Sequence, residues 1–276
     1  MIPQPFVART VPQPVAADVS HWEFAALSDA GRVRRNNEDA MAFDPALGLA
    51  LLADGMGGYN GGEVASGMAI ALLQAGFGRW LAHAGASAPT RAVRRAMQKS
   101  VDETNRAILE AGAANQQLRG MGTTLVLAAF SMQRAVVGHI GDSRCYRWRA
   151  HELELLTRDH SLLQERLDAG AISHEQAAVF PYRNLVTRAL GIERGVEVEV
   201  GEHVAQAGDL FLLCSDGLSE MVAEPDLRAI LSRNVSLADK ATLLVASAND
   251  NGGKDNISVL LAQAAPASAR ATQRGH

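Results

Sequence analysis

Two short apolar runs constrain this chain most: Leu49-Ala50-Leu51-Leu52-Ala53 and Leu210-Phe211-Leu212-Leu213-Cys214. The first stops at Asp54-Gly55, and the second stops at Ser215-Asp216-Gly217. A short apolar run closed by a turn signal reads as a buried strand, and an unpaired carboxylate inside it would be costly. Both acids therefore belong at the rim of a core. Carboxylates fixed at strand ends suit a hard divalent cation, and the following glycine lets the backbone turn so that a carbonyl can face the same ion.

The elements between these runs alternate in a way that excludes a chain of strand-helix-strand units. Trp22 to Ser28 predicts a first strand ending at Ser28-Asp29-Ala30-Gly31, and the charged stretch from Arg32 to Asp39 is too polar for a core element. Of the eight residues from Gly55 to Gly62, five are glycine, so this loop can bring backbone close to a ligand. Glu63 to Ala82 and Pro89 to Ala111 predict two long helices packed on one face of a sheet. Strands follow at Thr123 to Ser131, Arg134 to Ile140, Arg144 to Trp148 and Glu152 to Leu156, joined by turns short enough for an antiparallel meander. A short helix at Ser161 to Ala169, ended by Gly170, precedes an insertion without sustained period, Gly170 to Tyr182, which holds a second short helix at Ser173 to Ala178 and reads as a surface flap. Val196 to Val200 and Asp209 to Ser215 predict strands, Glu224 to Ser232 and Ser236 to Asn249 helices, and Ile257 to Ala262 a last strand. One domain spans residues 21–263, with a Pro-broken lead-in over 1–20 and an aperiodic tail over 264–276.

Composition narrows the function. A formal charge of -4 and the lack of a long Arg/Lys run argue against a nucleic-acid partner. No apolar stretch is long enough to suggest a membrane span, and residues 1–20 lack a signal-peptide core. The two cysteines, Cys145 and Cys214, sit in strand-like surroundings at no zinc spacing, and read as reduced thiols of a cytoplasmic protein. A monomer is the default expectation.

Asp54, Asp142, Asp216 and Asp255 share one setting, the edge of an apolar strand beside Gly or Asn, and Glu38 and Asp39 lie upstream of the first Asp-Gly. Any one alone reads as a turn residue or a cap. Together in one site they would repel one another, and bound cations are the usual remedy. Oxygen ligands without His or Cys select Mg2+ or Mn2+. Two such ions about 3.5–4 Å apart hold a bridging water, lower its pKa and aim it in line at phosphorus, which hydrolyses a phosphoester. Arg34 is best placed to fork two phosphate oxygens, although its spacing fits a surface arginine equally well. His139, in an apolar strand, reads as a packed residue, and His160 as part of a helix start with Asp159 or Ser161 capping.

Six stretches in order resemble the PPM family, the metal-dependent Ser/Thr protein phosphatases of type 2C, in a bacterial form. They are Gly31 to Asp39, Ala53 to Gly58, Gly120 to Thr124, Gly141 to Arg144, Ser215 to Leu218 and Asp255 to Ser258. The resemblance implies an α+β, four-layer α-β-β-α sandwich, with two central antiparallel sheets flanked by helices and a dimetal site at one end. It implies that Asp54 bridges both ions, that the Gly55 carbonyl binds one, and that Asp216 and Asp255 hold the other. Glu38 and Asp39 would bind the second ion directly or through its waters, Asp142 would bind a third, and Arg34 would hold the substrate phosphate. Asn184 falls where some members have a flap ligand, though it also reads as a plain loop residue.

The implied activity is hydrolysis of phosphoserine and phosphothreonine in proteins with two or three Mn2+ or Mg2+ ions, opposing a bacterial Ser/Thr kinase. A catalytically weak relative that only binds phosphoprotein is the alternative, and would be expected to have lost metal ligands. Where some relatives carry a His as general acid this chain has Met56, and where bacterial members carry one it has Tyr59. A water on the metals is then the expected proton donor to the leaving oxygen.

Overall fold

The computed structural model describes residues 19–57, 61–177 and 179–266. Eleven strands are present among them: β1 Val19–Asp29, β2 Asp39–Asp44, β3 Leu49–Met56, β4 Gly122–Thr123, β5 Leu125–Phe130, β6 Arg134–Ile140, β7 Arg144–Arg149, β8 Glu152–Leu155, β9 Glu199–Val204, β10 Leu210–Cys214 and β11 Ile257–Pro266. The helices are α1 Gly61–Leu73, α2 Arg79–Ala84, α3 Thr90–Ala114, α4 Leu162–Asp168, α5 His174–Ala177, α6 Asp216–Ser219, α7 Glu224–Leu231 and α8 Leu237–Asp250. One sheet has the order β1-β11-β10-β7-β8 and the other β2-β3-β5-β6-β9, with β4 on β3. Every pairing is antiparallel.

The period-2 alternation of each strand divides the core into three layers. Leu49, Leu51 and Ala53 of β3 and Leu125 and Leu127 of β5 point outward onto Ala65, Ala69 and Leu73 of α1 and Met97, Val101 and Ile108 of α3. On the other sheet, Leu210, Leu212 and Cys214 of β10 and Val259 and Leu261 of β11 meet Leu227, Ile230, Leu244 and Ala248 of α7 and α8. The residues between, Ala50 and Leu52, Val126 and Ala128, Cys145, Phe211 and Leu213, and Leu260 and Ala262, fill the space between the sheets. Truncating one fully buried leucine such as Leu52 to Ala would cost about 2–5 kcal/mol. This is the four-layer sandwich expected from the sequence.

Several local expectations need correction. No strand is expected from the sequence between Arg32 and Leu49, yet Asp39 opens β2, an edge strand whose alternation is masked by alanine. The helix predicted over Glu63 to Ala82 carries a π turn at Gln74–Gly78 between α1 and α2, with Phe77 buried. Val196 and Val198 are buried, yet the strand starts only at Glu199. The reason is that Gln98 of α3 serves their backbone: its Nε2 donates to the Val196 carbonyl and its Oε1 accepts from the Val198 N–H. Ala264 to Pro266 belong to β11, where Ala264 pairs with Trp22 and Pro266 with Val19. The rest of the expected tail, 267–276, and residues 1–18 of the lead-in lie outside the described residues. Cys145 and Cys214 are free and buried.

Candidate metal centre

Following the inward-facing alternation to one end of the sandwich leads from apolar residues to hydroxyls and then to acids. On β5 the series Ala128 and Val126 continues to Thr124; on β7, Cys145 to Ser143; on β10, Phe211 and Leu213 to Ser215; on β11, Leu260 to Ser258. These hydroxyls bond one another and the backbone. Thr124 Oγ1 lies 2.8 Å from Ser143 Oγ and accepts from the Asp54 N–H at 3.1 Å. Ser215 Oγ accepts from the Ser258 N–H at 3.0 Å and donates to Asp39 Oδ2 at 2.8 Å. On β3 the same series runs Ala50, Leu52, Asp54, so the strand's own period delivers that carboxylate to the inter-sheet end. Asp39 is its cross-strand partner on β2.

The remaining expected residues arrive from three loops. Asp142 sits in the turn between β6 and β7 and is buried. Asp216 opens the helical turn α6 directly after β10. Asp255 precedes β11, and its neighbour Asn256 ties the loops together: Oδ1 accepts from the Glu38 N–H at 2.8 Å, while Nδ2 donates to the carbonyls of Asn36 and Ala30. The Glu38 carbonyl accepts from the Gly55 N–H at 3.1 Å and from Ser66 Oγ of α1. Its carboxylate lies against the start of α1, where a Cβ on Gly62 would come 2.6 Å from Oε2. Arg34 is exposed at the mouth and donates through Nη2 to Asp255 Oδ2 at 2.6 Å. Asn184 is exposed and donates to Glu220 Oε2 at 3.1 Å. Tyr59 lies outside the described residues.

So many carboxylates in one dry corner cannot all ionise without a counter-charge. Burial pushes Asp54 well above the ordinary carboxylate range, and Asp39, Asp216, Asp142 and Asp255 raise it further. Burial, then Asp142 and Asp255, lifts Asp216 to about 8. Burial lifts Asp39 to about 6, and burial with Asp159 lifts Asp142 to about 6. Glu38 is raised as well, by burial foremost. Two carboxylate oxygens, Asp39 Oδ1 and Asp216 Oδ1, are buried and have no hydrogen-bond partner. Orphaned anionic oxygens beside further carboxylates, with no nitrogen or sulfur donor among them, fit hard divalent cations.

Sequence reasoning singled out the acids but assigned no role to what holds them, Thr124, Ser143, Ser215, Ser258 and Asn256, although all five lie in the stretches that carry the family resemblance. The available signal was the strand period itself, carried one step past each apolar run to the hydroxyl that follows it.

The comparisons with known proteins agree with this architecture. The family described as Protein phosphatase 2C matches residues 31–258. The serine/threonine phosphatase stp of Listeria monocytogenes serotype 4b (strain F2365) is 40% identical over 246 residues, covering 88% of this chain and 95% of that protein. The structure of the Mycobacterium tuberculosis serine/threonine phosphatase PstP/Ppp superposes with a TM-score of 0.80 at 38% identity, covering 89% of this chain and all of that one. The catalytic domain of PstP in complex with 2 manganese ions superposes with a TM-score of 0.77 at 37% identity, covering 89% of this chain and 99% of that one. A match over most of the chain, a relative of this similarity and the shared sandwich together establish that the chain belongs to the protein phosphatase 2C (PPM) family of serine/threonine protein phosphatases.

Proposed function

We propose that the chain hydrolyses phosphoserine and phosphothreonine in proteins, using Mn2+ or Mg2+ held by Asp54, Asp39, Glu38, Asp216, Asp255 and the Gly55 carbonyl, with Asp142 holding a third ion. The observation that carries this reading is the pair of orphaned buried oxygens, Asp39 Oδ1 and Asp216 Oδ1, within a cluster of carboxylates that burial and mutual repulsion push up. Bound divalent ions would supply a water of lowered pKa as nucleophile and positive charge for the phosphoryl oxygens.

The chain's own residues do the rest. Asp54 stands among Asp39, Asp216, Asp142 and Asp255 and would hold the cations from one sheet, while Asp216 would hold them from the end of β10 in the other. Ser215 and Thr124 fix the geometry before substrate arrives, Ser215 through the Asp39 carboxylate and Thr124 through the Asp54 backbone. Arg34, at the mouth and only half engaged by Asp255, has guanidinium donors left for two phosphate oxygens. Its exposure suits a macromolecular substrate better than an enclosed small ligand.

The natural substrates in this reading are phosphorylated proteins in the cytoplasm, including a bacterial Ser/Thr kinase and its targets, and the chain acts as a monomer. None of the helices among the described residues is long and apolar enough to cross a membrane. The test is turnover of a phosphothreonine peptide with Mn2+, with chelator, and in Asp54→Ala and Asp216→Ala variants. Metal-dependent turnover lost in both variants is the expected result; chelator-resistant turnover would overturn the metal reading. Tight binding of the peptide without turnover would instead mark a phosphoprotein-binding relative.

A further inference from the structure

The turn that presents Asp142 is gripped by five consecutive residues from the far side of β8. The Leu156 N–H donates to the Cys145 carbonyl at 2.8 Å, and Thr157 Oγ1 accepts from the Cys145 N–H at 3.1 Å. The Arg158 carbonyl lies 2.8 Å from His139 Nε2. Asp159 takes the Arg144 guanidinium in a fork, from Nε at 2.9 Å and from Nη2 at 2.6 Å. His160 meets Gly141 twice: its backbone N–H donates to the Gly141 carbonyl at 2.8 Å, and its Nδ1 accepts from the Gly141 N–H at 3.2 Å.

That second bond assigns the tautomer. A ring nitrogen that accepts an amide proton carries none, so the proton of the neutral ring is on Nε2, facing Glu199 Oε2 at 3.3 Å. The His139 and His160 rings stack at 4.7 Å with 21° between their planes. His139, His160 and Glu199 lie close enough to suggest a cation site of their own. The geometry points elsewhere: a protonated Nε2 has no lone pair to give, and near-parallel rings aim their nitrogens side by side instead of at one point.

His160 also closes the flap. Its carbonyl accepts from the Thr187 N–H at 2.8 Å, next to the Ser161–Val186 bridge and the bond from the Leu162 N–H to the Leu185 carbonyl at 2.9 Å. The segment just after the flap reaches Glu220 through Arg183 and Asn184. On the other side, Gly141 has φ +100 and packs on Thr124, where a Cβ would come 2.7 Å from Cγ2. Thr124 in turn supports the Asp54 backbone. The residue is therefore a node between the flap base, the Asp142 turn and the central strand.

We propose that His160 is a positioning residue: by holding both sides of the Gly141 peptide it sets where Asp142 stands in the metal centre, and it ties that position to the base of the flap. This rests on the reading of Asp142 as a holder of the third ion, and the test separates the two. Mn2+ binding is followed by the electron paramagnetic resonance of the unbound ion, for the wild type, Asp142→Ala, His160→Phe, His160→Asn and the double variant His160→Phe/Asp142→Ala. Melting in chelator reports folding. His160→Phe keeps the stacked ring and removes the acceptor, whereas Asn carries an oxygen near the position of Nδ1.

Asp142→Ala should lose the weakest-bound ion. His160→Phe should weaken that same ion about 10–100-fold and leave the tighter ones unchanged. His160→Asn should restore most of the loss, and the double variant should bind as Asp142→Ala does. A His160→Phe isotherm equal to wild type, beside a clear loss in Asp142→Ala, would overturn the proposal and leave the Asp142 reading standing. Wild-type binding by Asp142→Ala would overturn both. Equal weakening of every ion together with a lowered melting temperature would mark a general packing role and overturn the proposal. Should His160→Phe not fold, the comparison is Asn against Gln, whose carbonyl replaces Nε2; equal binding by those two would overturn it.

Discussion

Asp39 and Asp54 are direct cross-strand partners on β2 and β3, two carboxylates facing each other on the inter-sheet side of one sheet. Like charges in that arrangement destabilise a sheet pair, and here one Asp39 oxygen is also left buried without a partner. The pair makes sense as a cation site held open by the fold. Replacing Asp54 with Asn removes the repulsion, so the melting temperature measured in chelator should rise. The same variant should lose its response to added Mn2+ and roughly 100-fold or more in turnover, since Asp54 is proposed as a direct ligand and such a residue matters at least as much as an outer-shell partner. A variant that melts lower than wild type in chelator would count against stored repulsion at this pair.

The acids also set how the metal-free protein responds to pH. Their folded values are raised above the ordinary 3.8, to about 6 for Asp39 and Asp142 and about 8 for Asp216. A raised carboxyl favours the folded state while both states are protonated, and that contribution is lost as pH climbs through the folded value. In chelator, stability should therefore fall from about pH 4 up through about pH 8, with the upper part of the decline shared by Asp216 and Asp54. Asp216→Asn should make that upper part shallower. Excess Mn2+ should reverse the slope, because the cation favours the ionised acids. Melting curves at fixed ionic strength, with and without Mn2+, read this directly.

Why the acids were legible in the sequence and their supports were not has a physical cause. Asp54 and Asp216 interrupt apolar runs, and a carboxylate beside such a run demands explanation. Ser215 and Thr124 interrupt nothing that composition can see, since a hydroxyl after an apolar run is ordinary. Their role depends on which sheet each strand joins and on register, neither of which a local pattern holds. The same limit explains Val196 and Val198, which alternate like a strand but draw their backbone partner from the side chain of Gln98. It also explains β2, whose pairing with β3 is long-range and whose residues are only half-buried along most of its length. The antiparallel meander was readable from its short turns, whereas the pairing of two sheets into a sandwich came from the family resemblance, because the choice of sheet for each strand is long-range.

Ser215 offers a test of the hydroxyl layer. Its Oγ accepts from the Ser258 N–H and donates to Asp39, and it is fully buried. Ser215→Ala leaves the Ser258 amide without that partner, which should cost about 1–3 kcal/mol in unfolding free energy. Removing the donor from Asp39 should also weaken Mn2+ about 10–100-fold. Denaturant titration and metal titration measure the two effects separately. A stability loss with unchanged metal affinity would confine Ser215 to the backbone.

Arg34 poses the last question, because it pairs with Asp255, a proposed metal ligand, while being proposed to hold substrate phosphate. The two roles are compatible if the Asp255 contact uses one edge of the guanidinium and leaves the other for phosphate. The present contact uses Nη2 alone. A surface ion pair of this kind, with Arg34 more than half exposed, adds little stability. Arg34→Ala should therefore leave the melting temperature within a degree or two, about the shift of a few tenths of a kcal/mol. Losing a charge-assisted, forked contact with phosphate is worth about 1.5–3 kcal/mol, so kcat/KM on a phosphothreonine peptide should fall roughly 10–150-fold. Arg34→Lys keeps the charge but loses the planar fork, and should recover only part of that loss. Full recovery by lysine would mean that Arg34 acts as a point charge, and an unchanged kcat/KM in Arg34→Ala would remove it from the phosphate site.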